Sequence, residues 1–182
     1  MSSLSLLTQH DVRRNSNGFG WFPDTGSAGG LNHYSVSGAT QSHFDDPRSS
    51  GPEYRIVVDY KGEAPRWLEP AVQALNELLS LPANWDSYGA RPIDPKIAIF
   101  SLQLLAEMMS PTIPAPLVIP TNRGGVQLEW HTRGIDLEIE IQQPGRISAC
   151  YEDHRSGDEW EEELTSDLTR LSDTLLELSR RG

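Results

Sequence analysis

A chain of 182 residues holds one domain with a core and a tail, and is short for two. Its 26 acidic side chains against 15 Lys and Arg leave a formal net charge of −11, which excludes direct binding to nucleic-acid phosphates or an anionic membrane and makes a basic protein the natural complement. One cysteine, Cys150, excludes an internal disulfide or a CxxC zinc site.

The first fifty residues are rich in Ser, Gly and Asn and show no sustained period. Residues 1–50 are therefore expected as a flexible or partner-ordered arm, with Trp21 and Phe22 as its anchors on a partner. MSSLSLLTQHDVRR has no basic stretch ahead of its short apolar one, so a secretory signal is not expected. No apolar run approaches the roughly 18 residues of a membrane span. The cytoplasm is the expected compartment.

Residues 51–182 read as one α+β domain: an antiparallel β-meander of three to five strands packed against two to three helices. Tyr54, Ile56, Val58 and Tyr60 alternate with Arg55, Val57 and Asp59, which predicts a strand. Glu69-Pro70 sets the first turn of a helix whose stripe is Leu68, Val72, Leu75 and Leu79, and Pro82 stops it. Asp94-Pro95 opens a second helix with a cap and a preset φ. Its apolar surface, from Ile97 through Phe100, Leu102, Leu104 and Leu105 to Met108, is broad enough to be gripped from more than one side.

The meander runs from Leu117 to Leu164. Val126, Leu128 and Trp130 alternate with polar residues up to a turn at His131–Gly134. Ile135, Leu137, Ile139 and Ile141 then alternate with Asp136, Glu138 and Glu140, apolar on one face and acidic on the other. Pro144-Gly145 makes the next turn, and Ile147, Ala149 and Tyr151 continue the inner face. Trp160, Glu162 and Leu164 share one parity of a last strand, the preferred reading, while the capping-box spacing of Ser156 and Glu159 leaves open that Asp158–Leu164 instead begins the last helix. A helix follows Ser166, with Leu164, Leu168, Leu171, Leu175 and Leu178 as its stripe.

Two segments carry a resemblance. Leu81-Pro82-Ala83-Asn84-Trp85-Asp86-Ser87-Tyr88-Gly89-Ala90-Arg91-Pro92 and Pro120-Thr121-Asn122-Arg123-Gly124-Gly125-Val126-Gln127-Leu128-Glu129-Trp130 resemble motifs of a family of small bacterial and phage proteins with an NWDxYGA loop and a PTxxGGVQLEW strand. The resemblance covers about residues 75–180. It implies a bacterial or phage origin and a compact α+β unit, and it supplies no activity and no catalytic residues.

The Asn84–Ala90 loop is the most distinctive segment. Trp85 and Tyr88 have an N–H and an O–H that want partners. Asp86 can accept backbone N–H groups in a turn, and Gly89 permits a φ that other residues resist. The loop is either a rigid link with Trp85 as a core plug, or a hot spot presenting Trp85, Asp86 and Tyr88 to a partner. On the sheet, the hairpins as read place Glu129 opposite Asp136, Asp136 opposite Glu152, and Glu152 opposite Glu159. These four form an expected acidic row, with Glu138 and Glu140 on the same face. Cys150 is expected beside Glu138, where a carboxylate disfavours the thiolate.

Catalytic signals are thin. No nucleophile elbow, phosphate loop, HExxH or dinucleotide fingerprint is present, so neither an enzyme nor a cofactor is expected. His33, His43 and His154 show no spacing signal. The leading expectation is a non-enzymatic protein-interaction module, antitoxin-, immunity- or adaptor-like, that binds a more basic partner protein. Glu129 and His131, two apart on one face near Asp136, open an alternative: a small hydrolase or metal-dependent enzyme. The acidic rows open another, a phage-type inhibitor that mimics nucleic acid.

Overall fold

The computed structural model describes residues 34–41, 53–60, 63–165 and 167–181. Trp21, Phe22 and most of the expected arm lie outside the described residues. The elements run β1 (Tyr34–Gln41), β2 (Glu53–Tyr60), α1 (Leu68–Leu79), α2 (Pro95–Met108), β3 (Leu117–Pro120), β4 (Val126–Thr132), β5 (Ile135–Gln143), β6 (Arg146–Asp153), β7 (Glu159–Leu164) and α3 (Thr169–Arg180). β1 and β2 form an antiparallel pair, and β3 to β7 form a five-stranded antiparallel sheet in chain order. The described residues form an α+β fold: a five-stranded meander, the β1–β2 pair and three helices. No helix among the described residues is long and apolar enough to cross a membrane.

β1 lies inside the stretch expected as an arm, and no strong alternation announces it. It pairs with β2, Gly38 opposite Ile56. The far edge of β2 is met by a side chain. Asn76 of α1 accepts from the Ile56 N–H at 2.7 Å and donates to the Ile56 carbonyl at 3.0 Å. One amide thus satisfies a donor and an acceptor that the strand would otherwise leave open. Ile56 points into the core, 2% exposed.

α1 buries Leu68, Ala71, Leu75 and Leu78. The expected stripe used Val72 and Leu79 instead of Ala71 and Leu78; both are only partly buried. Asp94 caps α2 through Lys96 N–H at 2.8 Å, and Pro95 is its first residue. Eight of its fourteen residues are buried, because it contacts α1, β4 and β5. Ser101, fully buried, donates its hydroxyl to the Ile97 carbonyl.

All the buried apolar side chains of the sheet share one face. Val126, Leu128, Trp130, Ile135, Leu137, Ile139, Ile141 and Ile147 are each at most 2% exposed and join one core with α1, α2 and α3. Trp130 donates its indole N–H to the Pro114 carbonyl at 2.8 Å. α3 closes this core with Leu171, Leu175 and Leu178. It begins at Thr169, so Leu164 belongs to β7 and not to the helix stripe. Its C-terminal end is tied to the sheet by charge. Arg181 forks onto the buried Asp153 at 2.8 and 2.5 Å, and the guanidinium holds the Asp153 carboxyl well below the usual carboxylate range. Arg133 donates to the carbonyl of Leu178.

One hairpin differs from expectation in a way that matters for the site. The β4–β5 turn is not four residues, His131–Gly134, but two, Arg133-Gly134, with φ of +60° and +76°. Positive φ at both central residues is the pattern of a type I′ hairpin, whose twist matches the flanking strands. Thr132 therefore faces Ile135, and His131, not Glu129, faces Asp136. Glu129 faces Glu138. The other two hairpins pair as expected, Ile141 with Ile147 and Tyr151 with Trp160.

Candidate functional site

The polar face of the sheet carries three cross-strand rows. The first is His131, Asp136, Glu152 and Glu159; the second Glu129, Glu138, Cys150 and Glu161; the third Gln127, Glu140, Ser148 and Glu163. Expected residues Glu129, Asp136, Glu138, Glu140 and Glu152 all lie here. Glu129, however, leaves the row that contains Asp136.

Like charges directly opposed across a ladder repel. Here a donor sits between most of them. Gln127 gives its amide to Glu129 at 2.8 Å and to Glu138 at 3.1 Å. His131 joins Glu129 and Asp136, with Nε2 and Nδ1 each 3.0 Å from a carboxylate oxygen. His154 joins Asp136 at 2.8 Å and Glu152 at 3.2 Å. The result is an unbroken chain, Glu138–Gln127–Glu129–His131–Asp136–His154–Glu152. His154 was not visible as a site residue from spacing. Its position follows from register: Glu152 faces Asp136, and His154 stands two residues further along, in the turn, so its ring reaches back over the carboxylate.

These contacts shift the titration of the groups they join. Hydrogen bonds that His131 donates to Glu129 and then Asp136 raise its pKa above the ordinary value, and the bond to Asp136 does the same for His154. The two imidazoles in turn lower Asp136. Two sets of ligand atoms, Glu129 with His131 and Glu138, and Asp136 with Glu152 and His154, each lie within 4.8 Å of one another. Such sets could hold a divalent cation through nitrogen and carboxylate oxygen. Cys150 is a poor nucleophile here: burial, then Glu161 and Glu138, push its thiol up.

The expected loop residues Trp85, Asp86 and Tyr88 belong to a second region, built where the two sequence motifs meet. Asn84 closes the loop by donating its N–H to the Ala90 carbonyl and accepting from Gly89 N–H through its side chain, both at 2.7 Å. Asp86 accepts from the N–H groups of Ala90 and Tyr88, which lower its pKa. Asn84 and Ser87 hold φ of +63° and +66°, a conformation these bonds stabilise. Trp85 is partly buried and is not a core plug. Its indole N–H donates to the Arg91 carbonyl at 3.2 Å, and the core indoles are those of Trp67 and Trp130.

The second motif docks on the first through backbone. Arg91 N–H donates to Asn122, and Asp94 N–H to Gly124, each at 3.0 Å. Gly124, at φ +88°, lies so close that a Cβ there would be 2.8 Å from the Pro92 carbonyl oxygen. Between the two loops opens a cleft of about 310 Å3 lined by Tyr88, Gly89, Arg91, Asn122 and Arg123. Of these only Tyr88 was expected from the sequence as a partner-binding residue; Gly89 was singled out for its backbone, and Arg91, Asn122 and Arg123 only as members of the two motifs.

No family model matches this chain, and no curated protein or solved structure shows significant similarity to it.

Proposed function

We propose that this protein is a non-enzymatic interaction module of the cytoplasm, antitoxin-, immunity- or adaptor-like, that docks a basic partner protein on the polar face of its sheet. One observation carries the reading. Eight carboxylates, Glu129, Asp136, Glu138, Glu140, Glu152, Glu159, Glu161 and Glu163, share that face. Five are engaged by Gln127, His131, His154 or Arg146. Glu140, Glu159 and Glu161 have no hydrogen-bond or ion-pair partner among the described residues. Carboxylates that the fold does not use add their fields at one surface and steer a cationic surface toward it.

The test is the triple variant E140Q/E159Q/E161Q, which keeps shape and removes three charges. Folding stability should hold. Association with a partner captured by the tagged protein at low salt should slow by roughly tenfold, with a shallower salt dependence. An unchanged rate and salt slope would remove the polar face from recognition. Capture of a DNA-binding protein through this face would turn the reading toward a nucleic-acid mimic.

A second reading, a metal-dependent site, rests on the grouping of Glu129, His131 and Glu138 beside Asp136. Its test is a titration with Zn2+. Binding with a rise in thermal stability, lost in H131Q, supports it; equal behaviour of the two proteins ends it.

A further inference from the structure

The cleft between the two loops has a chemistry opposite to that of the sheet face. Its charged side chains are Arg91 and Arg123, in a chain whose acidic residues outnumber the basic ones by 26 to 15. Among the described arginines, Arg146, Arg170, Arg180 and Arg181 each pair with a carboxylate and Arg133 donates to a backbone carbonyl, whereas Arg55, Arg66 and Arg155 stand singly on the surface and only Arg91 and Arg123 share one cleft. Neither Arg91 nor Arg123 makes an ion pair or side-chain hydrogen bond among the described residues. The acids nearest in sequence are occupied elsewhere. Asp86 accepts from Tyr88 and Ala90 N–H, and Asp94 from Lys96 N–H.

Beside them stands Tyr88, 94% exposed. An aromatic ring wholly in water contributes nothing to the core. Yet it is held on a loop whose backbone is fixed by bonds from Asn84 and Asp86, so its position is set before anything binds. Asn122 also lines the cleft, and its main-chain carbonyl accepts from the Arg91 backbone N–H. Two unpaired arginines, an asparagine and an exposed tyrosine thus line one cleft between loops held by backbone hydrogen bonds. Guanidinium forks match the paired oxygens of phosphate and carboxylate, and a ring beside them suits a flat apolar group.

We propose that this cleft binds an oxyanion-bearing ligand, with Arg91 and Arg123 holding a phosphate or carboxylate group and Tyr88 stacking on a planar group attached to it. The proposal is independent of the acidic face and of the partner assigned to it.

The test follows backbone amide resonances of the full chain during titration with inorganic phosphate, phenyl phosphate and benzoate. Saturable shifts are expected at Gly89, Arg91, Asn122 and Arg123, with phenyl phosphate binding several-fold more tightly than inorganic phosphate. R91Q/R123Q should weaken binding at least tenfold, and R91K, which keeps the charge without the fork, should weaken it less. Y88A should remove the advantage of phenyl phosphate and leave inorganic phosphate unchanged. Preference for phenyl phosphate assigns a phosphate ligand, and equal or tighter binding of benzoate a carboxylate ligand. No saturable shift with any probe at millimolar concentration overturns the proposal. So do shifts that persist undiminished in R91Q/R123Q, or that centre away from the cleft. Should the double variant not fold, R91K and Y88A carry the test alone.

Discussion

Two glycines in the same region separate backbone strain from crowding. Gly89 and Gly124 both hold positive φ, +95° and +88°. An alanine in the left-handed region costs about 1–2 kcal/mol, and about 0.4–1 kcal/mol returns because the unfolded chain loses freedom. At Gly89 an added Cβ meets nothing within 4 Å, so G89A should cost roughly 1 kcal/mol net. At Gly124 the same Cβ comes to 2.8 Å from the Pro92 carbonyl oxygen. That oxygen cannot swing aside, because Arg91 and Asp94 on either side of it are bonded to Asn122 and Gly124. Relief requires the loops to part, and overpacking of this kind adds about 1–3 kcal/mol. G124A should therefore cost roughly 2–4 kcal/mol. Urea unfolding followed by the emission of the buried Trp67 and Trp130 measures both, as a shift in midpoint at constant slope. Equal costs for the two variants would refute the backbone docking of the two motifs.

Other expectations follow from single contacts. N76A removes both bonds to Ile56 and should destabilise by about 2 kcal/mol, at about 1 kcal/mol per bond; N76D, which can accept but not donate, should fail to rescue it in the same unfolding assay. W130F loses a buried hydrogen bond to Pro114, whereas the buried indole N–H of Trp67 has no partner among the described residues. W130F should therefore cost about 1–2 kcal/mol more than W67F in calorimetry. The imidazole chain predicts a pH dependence with a definite sign. His131 and His154 are raised above 6.5, so their contribution is complete below that value and is lost as pH rises through their folded-state values. Asp136 is lowered below 3.8, so its contribution is present above that value and is lost as pH falls through its folded-state value. Melting temperature should decline as pH rises above 6.5 in the natural chain more than in H131Q/H154Q. Parallel curves would count against the network.

Periodicity made the meander readable. Ile135 to Ile141 alternate cleanly because one face of β5 is buried and the other is not, and a slip of one residue would turn all four isoleucine and leucine side chains into water. α2 was legible for a related reason. A helix held by α1, β4 and β5 needs apolar residues around most of its circumference. β1 was not legible, since Tyr34–Gln41 carries Ser, Gly and Thr at half of its positions and owes its pairing to β2. Nor could spacing show that Asn76 bonds a strand edge twenty residues away. That contact depends on where α1 lies, which no local pattern encodes.

The chemistry of the polar face turns on the length of one turn. With four residues between the strands, Glu129 would oppose Asp136 and His131 would fall in the loop. With two, His131 is a strand residue opposite Asp136, and its ring lies between two carboxylates. The shorter turn demands positive φ at both Arg133 and Gly134. Glycine takes that conformation freely, and arginine does not. Arg133 is held there by its own side chain, which donates to the carbonyl of Leu178 near the end of α3. The packing of the C-terminal helix thus stabilises a strained turn, the turn sets the register, and the register places an imidazole where two acidic residues would otherwise repel. Composition revealed that the face was acidic. Which of these carboxylates meet a donor follows from the register of that turn, where Arg133 bonds a residue of the helix on the opposite side of the sheet, 45 positions along the chain.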